Sequence, residues 1–303
     1  MTSVTGRSHA TPERTVPGLT PALRGRIRWW FRIVSAVSPA LAARLAMRLF
    51  LTPLTRPIEP EEEQFLATAR ARTLAVPSGA LQVYEWPVPA LGAPTVLVVH
   101  GWISHAARMA ALVRALHSRG FRVVAFDAPA HGRSGGKQVD LHAFRAAIHT
   151  VIAACGPVQG VLAHSFGALT TATWLAEDRP AEVRAAVLVG MMSDLGYIFD
   201  SFAQVLALRP DVLSKFRDVF RTRYGAYPEQ VSTGELVREL HLPVLVVHGG
   251  SDDVVPSAHA HEVSKELRDG QLLIAPDLGH GAPLRDPATV TQIADFLVAQ
   301  LAP

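Results

Sequence analysis

A short apolar run, Val161-Leu162-Ala163, passes through His164 and Ser165 straight into a helical pattern that opens at Phe166-Gly167-Ala168, with no loop residues between. A strand that becomes a helix within one residue must turn sharply. The serine then sits at a strained position with its hydroxyl clear of the backbone, where the helix N-terminus can offer N–H groups to developing negative charge. Strand and helix nearly touch at such a turn, so the flanking residues must be small. Ala163 and Gly167 meet that need, with alanine standing where the usual G-x-S-x-G pattern has its first glycine.

Three further segments fall in a telling order. Before the serine, Thr95-Val-Leu-Val-Val-His-Gly-Trp102 has the pattern of a buried strand ending in His-Gly. After it, Pro243-Val-Leu-Val-Val-His-Gly-Gly-Ser-Asp252-Asp-Val-Val-Pro256 is another such strand with an acid just past its end, followed by Leu278-Gly-His280-Gly. The chemistry-bearing residues therefore run Ser, Asp, His. A fourth segment, Val123-Val-Ala-Phe-Asp-Ala-Pro-Ala-His-Gly-Arg-Ser134, matches D-x-x-G-H-G-x-S with Ala130 in place of a glycine. On these motifs and their order the chain resembles the serine branch of the α/β-hydrolase family from about Leu74 to its C-terminus.

The resemblance implies a mostly parallel central sheet flanked by helices, and it implies roles. Ser165 would be the nucleophile and His280 the base that takes its proton. The pattern G-x-x-D-x-x-V-P maps onto Gly249, Asp252, Val255 and Pro256, so Asp252 rather than Asp253 would orient the imidazole. The oxyanion donors would be the backbone N–H groups of Phe166, next after the nucleophile, and of Trp102, next after His-Gly. His100 and His248 each precede a glycine at a strand end and are expected to brace turns. Trp102, Phe199 and Phe202 are the candidate substrate contacts. No metal spacing or cofactor motif is present: His259 and His261 are two apart on an expected helix, and Gly132-Arg-Ser-Gly-Gly-Lys137 fails the Walker spacing.

Composition limits the alternatives. The apolar runs are four to eight residues long, which suits strands covered on both faces, and none approaches the roughly 18 residues of a membrane span. The single cysteine, Cys155, has no partner for an internal disulfide and reads as a buried thiol at a helix end before Gly156-Pro157. Charge is unevenly placed: no acid occurs between Glu13 and Glu59, while eight arginines fall in that interval. Within it, Leu23, Ile27, Trp30, Phe31 and Val34 share one helical face and Arg24, Arg28 and Arg32 another; a second helix is expected after Ser38-Pro39, with Leu41, Leu45 and Leu49 in a stripe. Residues 21–52 read either as a peripheral membrane anchor or as an arm packed on the domain. Arginines interrupt every candidate core of a secretory signal, and the aliphatic character of the stretch argues against nucleic acid.

The expected organisation is a mobile segment at 1–20, a basic amphipathic arm and connector at 21–71, an α/β core at 72–191 and 241–303, and a helical cap at 192–240, where the strand–helix rhythm breaks and aromatic residues gather. A hairpin around Ser78-Gly79 should open the sheet. The expected activity is hydrolysis of a carboxylic ester or thioester with an apolar acyl group through an acyl-enzyme on Ser165, in a cytoplasmic protein with peripheral membrane contact. Acyl transfer or C–C bond hydrolysis by the same triad, and a non-catalytic ligand-binding role, stay open, as does the oligomeric state.

Overall fold

The computed structural model describes residues 20–77 and 79–301, so the expectations for residues 1–19 and for Ser78 lie outside the described residues. Three helices come first: α1 (Pro21–Val37), α2 (Pro39–Phe50) and α3 (Pro60–Leu66). Thr20 caps α1 and Ser38 caps α2, each followed by a proline that suits the first helical turn. Strands β1 (Arg70–Val76) and β2 (Gly79–Trp86) pair antiparallel, as the hairpin reading expects.

From there strand and helix alternate. The chain runs through β3 (Thr95–Val99), α4 (Ala110–His117), β4 (Arg122–Phe126), α5 (Leu141–Cys155), β5 (Gly160–His164), α6 (Phe166–Asp178) and β6 (Ala185–Val189). An excursion of helices follows: α7 (Leu195–Leu206), α8 (Pro210–Tyr224) and α9 (Thr233–Arg238). The rhythm then resumes with β7 (Val244–Gly249), α10 (Ala258–Glu266), β8 (Gly270–Ala275) and α11 (Pro287–Leu301). The eight strands form one sheet in the order β1-β2-β4-β3-β5-β6-β7-β8, parallel from β4 onward.

Period-two alternation decides which side chain faces which layer. In β3, Leu97 and Val99 join the core under α5 and α6, whereas Val96 and Val98 join the core under α4 and α11. Both faces are covered, so every residue of β3, β5 and β6 is buried. Strand order reverses at β3, and the crevice beyond the C-terminal ends of β3 and β5 is the place where open α/β sheets bind ligands.

Gly167 shows how tight the strand–helix approach is. A Cβ added there would lie 2.2 Å from the carbonyl oxygen of His100, and both partners are backbone. Gly167→Ala is expected to lower stability by roughly 1–3 kcal/mol or more, because neither element can yield without moving its strand. A thermal midpoint within experimental error of the native value would contradict this.

The N-terminal arm is packed on the domain rather than hanging free. α2 lies along α8 and α1 touches both α2 and α7. Phe50 at the end of α2 sits edge-on to Phe199, Phe202 and Phe216, at centroid distances of 5.1, 5.3 and 5.9 Å. Arg28 turns inward, donating from Nε to the carbonyl of Val205 at 2.9 Å and from Nη2 to that of Gln204 at 3.3 Å, at the end of α7. The expected sharing of faces on α1 is corrected in two respects: Phe31 is buried while Trp30 is exposed, and Arg28 belongs to the protein-facing side. Of the residues expected to form a cap, α7 and α8 pack with the arm, whereas α9 lies in the helical layer beside α6 and α10. No described helix is long and apolar enough to cross a membrane.

Candidate active site

Ser165 occupies the turn between β5 and α6 with φ 54° and ψ −123°, a conformation that costs a non-glycine residue about 1–3 kcal/mol and is held by the packing on either side. Its Oγ is 2.9 Å from Nε2 of His280. Nδ1 of His280 is 2.7 Å from Oδ2 of Asp252. In the neutral imidazole, Nδ1–H donates to the carboxylate and leaves Nε2 to accept from the serine hydroxyl, the tautomer a general base requires. The three sequence-derived candidates therefore meet in one hydrogen-bonded row, although 115 and 28 positions separate the two bonded pairs.

Asp252 follows β7 and is buried with no exposed side-chain surface. Burial opposes its charge, but the hydrogen bonds from His248 and His280, the positive character of His280 and the Val255 N–H outweigh it and hold the carboxyl well below the usual carboxylate range. Oδ1 accepts from the N–H groups of Val254 and Val255 at 2.9 and 2.8 Å. Oδ2 also meets Nε2 of His248 at 3.2 Å, a ring nitrogen that lies 2.8 Å from the carbonyl of Val255 as well. His248 thus does more than brace a turn, since it shares the carboxylate with His280. Asp253 is exposed at the rim of the cavity and makes no bond to His280.

The two backbone N–H groups expected to serve as oxyanion donors belong to Trp102, just past β3, and Phe166, the first residue of α6. Among the described residues neither donates to another group. Gly101 brings the Trp102 loop against Ser165; a Cβ there would lie 2.9 Å from Cβ of Ser165. Ile103, the next residue but one, is a β-branched side chain at φ 52°, a strained state that something must enforce.

The segment 127–134 supplies that support, a role its motif alone did not disclose. Nε2 of His131 accepts from the N–H of Ile103 at 3.3 Å, and Nδ1 of His131 donates to the carbonyl of Pro129. Asp127, fully buried, accepts from the N–H of Ala106 at 2.8 Å, from the N–H of Arg133 at 2.9 Å and from the Tyr84 hydroxyl at 3.1 Å. Nε2 of His100 accepts from the N–H of Ala128 at 2.9 Å while its Nδ1 donates to the carbonyl of Gly101 at 2.7 Å. His100 and His131 must therefore be neutral to serve as acceptors. Burial pushes them down to about 4 and about 3, and the same cause, with His280 close by, pushes His164 down to about 3. Ala130, where the resemblance has a glycine, sits at φ 63°, so the alanine accepts a left-handed turn that glycine would take without strain.

Above Ser165 lies a cavity of about 1150 Å³. Its walls are largely apolar, with Met192, Leu195, Ile198, Phe202, Val205 and Phe220 on one side. Trp102 lines it, edge-on to Phe166 and His131. Phe199, expected at the substrate, is instead fully buried behind the wall, stacked on Phe216 at 3.7 Å. Ile27, Leu49, Phe50 and Leu54, from α1, α2 and the connector after them, complete the lining.

A serine, a carboxylate and a histidine in this chain order, meeting at the C-terminal edge of an eight-stranded, mostly parallel sheet, define a hydrolase of the α/β class. A family model described as serine aminopeptidase, S33, matches residues 93–231, and one described as TAP-like protein matches residues 225–303. The chain belongs to the α/β-hydrolase family. It is 26% identical to a non-heme haloperoxidase of Rhodococcus erythropolis over 252 residues, 67% of this chain and 90% of that one. It is likewise 26% identical to a bifunctional esterase/perhydrolase of Acinetobacter calcoaceticus over 250 residues, 66% of this chain and 90% of that one. Among solved structures, Est1E from Butyrivibrio proteoclasticus superposes with a TM-score of 0.61 at 17% identity, covering 77% of this chain and 99% of that chain, a likeness of fold.

Proposed function

We propose that the protein hydrolyses a carboxylic ester or thioester with an apolar acyl group, through an acyl-enzyme on Ser165. The observation that carries this reading is the Ser165–His280–Asp252 row at the floor of a large apolar cavity. The similarity to an esterase/perhydrolase agrees with it.

Oγ of Ser165 forms a bond to the substrate carbonyl carbon as its proton passes to Nε2 of His280. The carbonyl π pair moves onto oxygen, where the N–H groups of Trp102 and Phe166 stabilise it, and Asp252 stabilises the imidazolium. Collapse of the tetrahedral species breaks the bond to the leaving alcohol or thiol, which takes the proton from His280. Water then attacks the acyl-enzyme with His280 again as base, releasing the acid and restoring Ser165. α7 and α8 serve as the cap, excluding bulk water and enclosing the acyl chain.

Two outcomes test the reading. Intact-mass and peptide mapping after fluorophosphonate treatment should find one adduct, on Ser165. Across a series of p-nitrophenyl esters, kcat/KM should rise roughly fourfold per added methylene until the chain fills the cavity, as expected at ~0.8 kcal/mol for each buried CH₂. A rate that falls beyond acetate or butyrate would rule out the apolar acyl pocket.

A further inference from the structure

Among the described residues nine large hydrophobic side chains are exposed, and seven of them lie between Trp29 and Leu54. On α1 they form one stripe. Trp29, Trp30, Ile33 and Val37 recur at helical spacing, and Val37 is 80% and Trp29 63% exposed. This stripe is distinct from the buried side of the same helix, where Phe31 packs into the core. α1 is therefore apolar on two faces, one satisfied by the domain and one turned to solvent. Leu41 continues the exposed surface onto α2. Singly exposed aliphatic residues are ordinary, but a contiguous patch holding two tryptophans calls for a partner.

The charge around the patch identifies that partner. Arg26, Arg32, Arg44 and Arg48 are exposed on the same two helices, and no acid occurs anywhere between Glu13 and Glu59 to answer them. A second copy of the chain, docked by the same face, would oppose arginine with arginine. An anionic lipid surface offers negative charge to the guanidinium groups, a headgroup layer to the indoles and acyl chains to Ile33 and Val37. We infer that α1 and α2 form a docking face for an anionic lipid surface, with Trp29, Trp30, Ile33 and Val37 entering the headgroup layer.

The placement of the face gives the contact a purpose. Ile27 of α1 and Leu49 and Phe50 of α2 line the cavity over Ser165, so the two helices that touch lipid also wall the site. A docked molecule holds this wall next to the apolar phase. Esters dissolved there reach the cavity without passing fully into water, and this part of the inference rests on the hydrolase reading above.

The test uses the full chain and vesicles of phosphatidylglycerol with phosphatidylcholine, against vesicles of phosphatidylcholine alone. The native protein should co-sediment with the anionic vesicles, its tryptophan emission should shift to the blue, and 0.5 M salt should weaken binding because exposed charges are screened within about 10 Å even at 0.1 M. One variant carries Trp29→Ser, Trp30→Ser and Val37→Ser; a second carries Arg26→Gln, Arg32→Gln, Arg44→Gln and Arg48→Gln. Each should lose at least about tenfold in vesicle partitioning, given ~1 kcal/mol for each basic residue at such a surface and a similar worth for buried apolar groups. Unchanged hydrolysis of a short soluble ester and an unchanged thermal midpoint establish that both variants are folded.

Equal soluble fractions with and without anionic vesicles would overturn the proposal. So would a native protein that dimerises by light scattering, ignores vesicles and becomes monomeric in the tryptophan variant, which would assign the face to a second copy. Running the series on Ser165→Ala as well separates the two readings. Binding by native and variant alike, without ester turnover by the native protein, would leave the docking face standing and the hydrolase reading fallen; turnover without binding would do the reverse.

Discussion

Ser165→Ala is expected to lower kcat by roughly a thousandfold to a millionfold while leaving the fold and the affinity for a product acid in place. The side chain lost is one hydroxyl at a buried turn, and alanine at φ 54° meets the same strain that serine does, so stability should barely move. The rate should collapse because the hydroxyl is the atom that makes the new bond. The three side chains act as a unit, so adding His280→Ala to Ser165→Ala should cost little more than either substitution alone. The measurement is steady-state turnover of a p-nitrophenyl ester with active-site titration to exclude traces of native enzyme. A loss below tenfold in Ser165→Ala would remove Ser165 as nucleophile and return the ligand-binding reading to the front.

Acid should unfold the protein through its buried histidines. His100, His131 and His164 have folded-state values of about 4, about 3 and about 3, all below the ordinary 6.5 of a histidine in an unfolded chain. Between those limits the unfolded state binds more protons, so stability rises with pH across that window. The contribution is complete above about pH 6.5 and is lost as pH falls toward the folded values. Each group takes away about 1.4 kcal/mol per pH unit in the window, so three together take about 4 kcal/mol per unit. Against a total of about 5–15 kcal/mol for a typical domain, that predicts cooperative unfolding near pH 4–5. Asp252 joins the loss only as pH falls below the ordinary carboxylate range, where the unfolded chain takes up a proton that the folded carboxyl, held lower, still refuses. Far-UV circular dichroism against pH checks this. A fold intact at pH 3 would mean that these imidazoles are hydrated rather than sealed. His131→Gln, with an amide oxygen as acceptor for Ile103, should move the transition to lower pH.

The sheet, and Ser165, Asp252 and His280 as the side chains brought into one row, were legible in the sequence for one physical reason. Strands covered on both faces are short and apolar through their middle, as in Thr95–Val99 and Gly160–His164, and the candidate site residues stand just past the strand ends. What could not be read depended on contacts between distant segments. Helical periodicity groups Ile27 with Phe31 and Val34, but α1 carries apolar residues on both sides, and nothing local says that Trp29 and Trp30 point outward. The inward turn of Arg28 depends on carbonyls 176 and 177 positions away. Phe199 and Phe202 lie three apart on one helix, and only the placement of α2 and α8 decides that Phe202 meets the cavity while Phe199 stacks behind it. The second histidine on Asp252 left a trace, since His248 and Asp252 are four apart around a strand end, but a strand-terminal His-Gly pair also suits a simple turn.

Phe50 and Arg28 join the arm to the helices over the cavity, and the end of α2 is itself fastened to the core where the carbonyl of Leu51 accepts from the N–H of Val139 at 2.9 Å. The roof thus hangs from two separate lengths of chain. A pair of helices inserted between strands can swing on its two stems, but here a strap from the other end of the sequence crosses it. Lifting α7 and α8 together means giving up the Arg28 bonds and prising Phe50 from three aromatic rings, so wide opening should be rare and the shape of the chamber largely constant. A protein shortened to its α/β core would keep every member of the Ser165–His280–Asp252 row and lose the chamber around it, turning a fitted vessel into an open shelf.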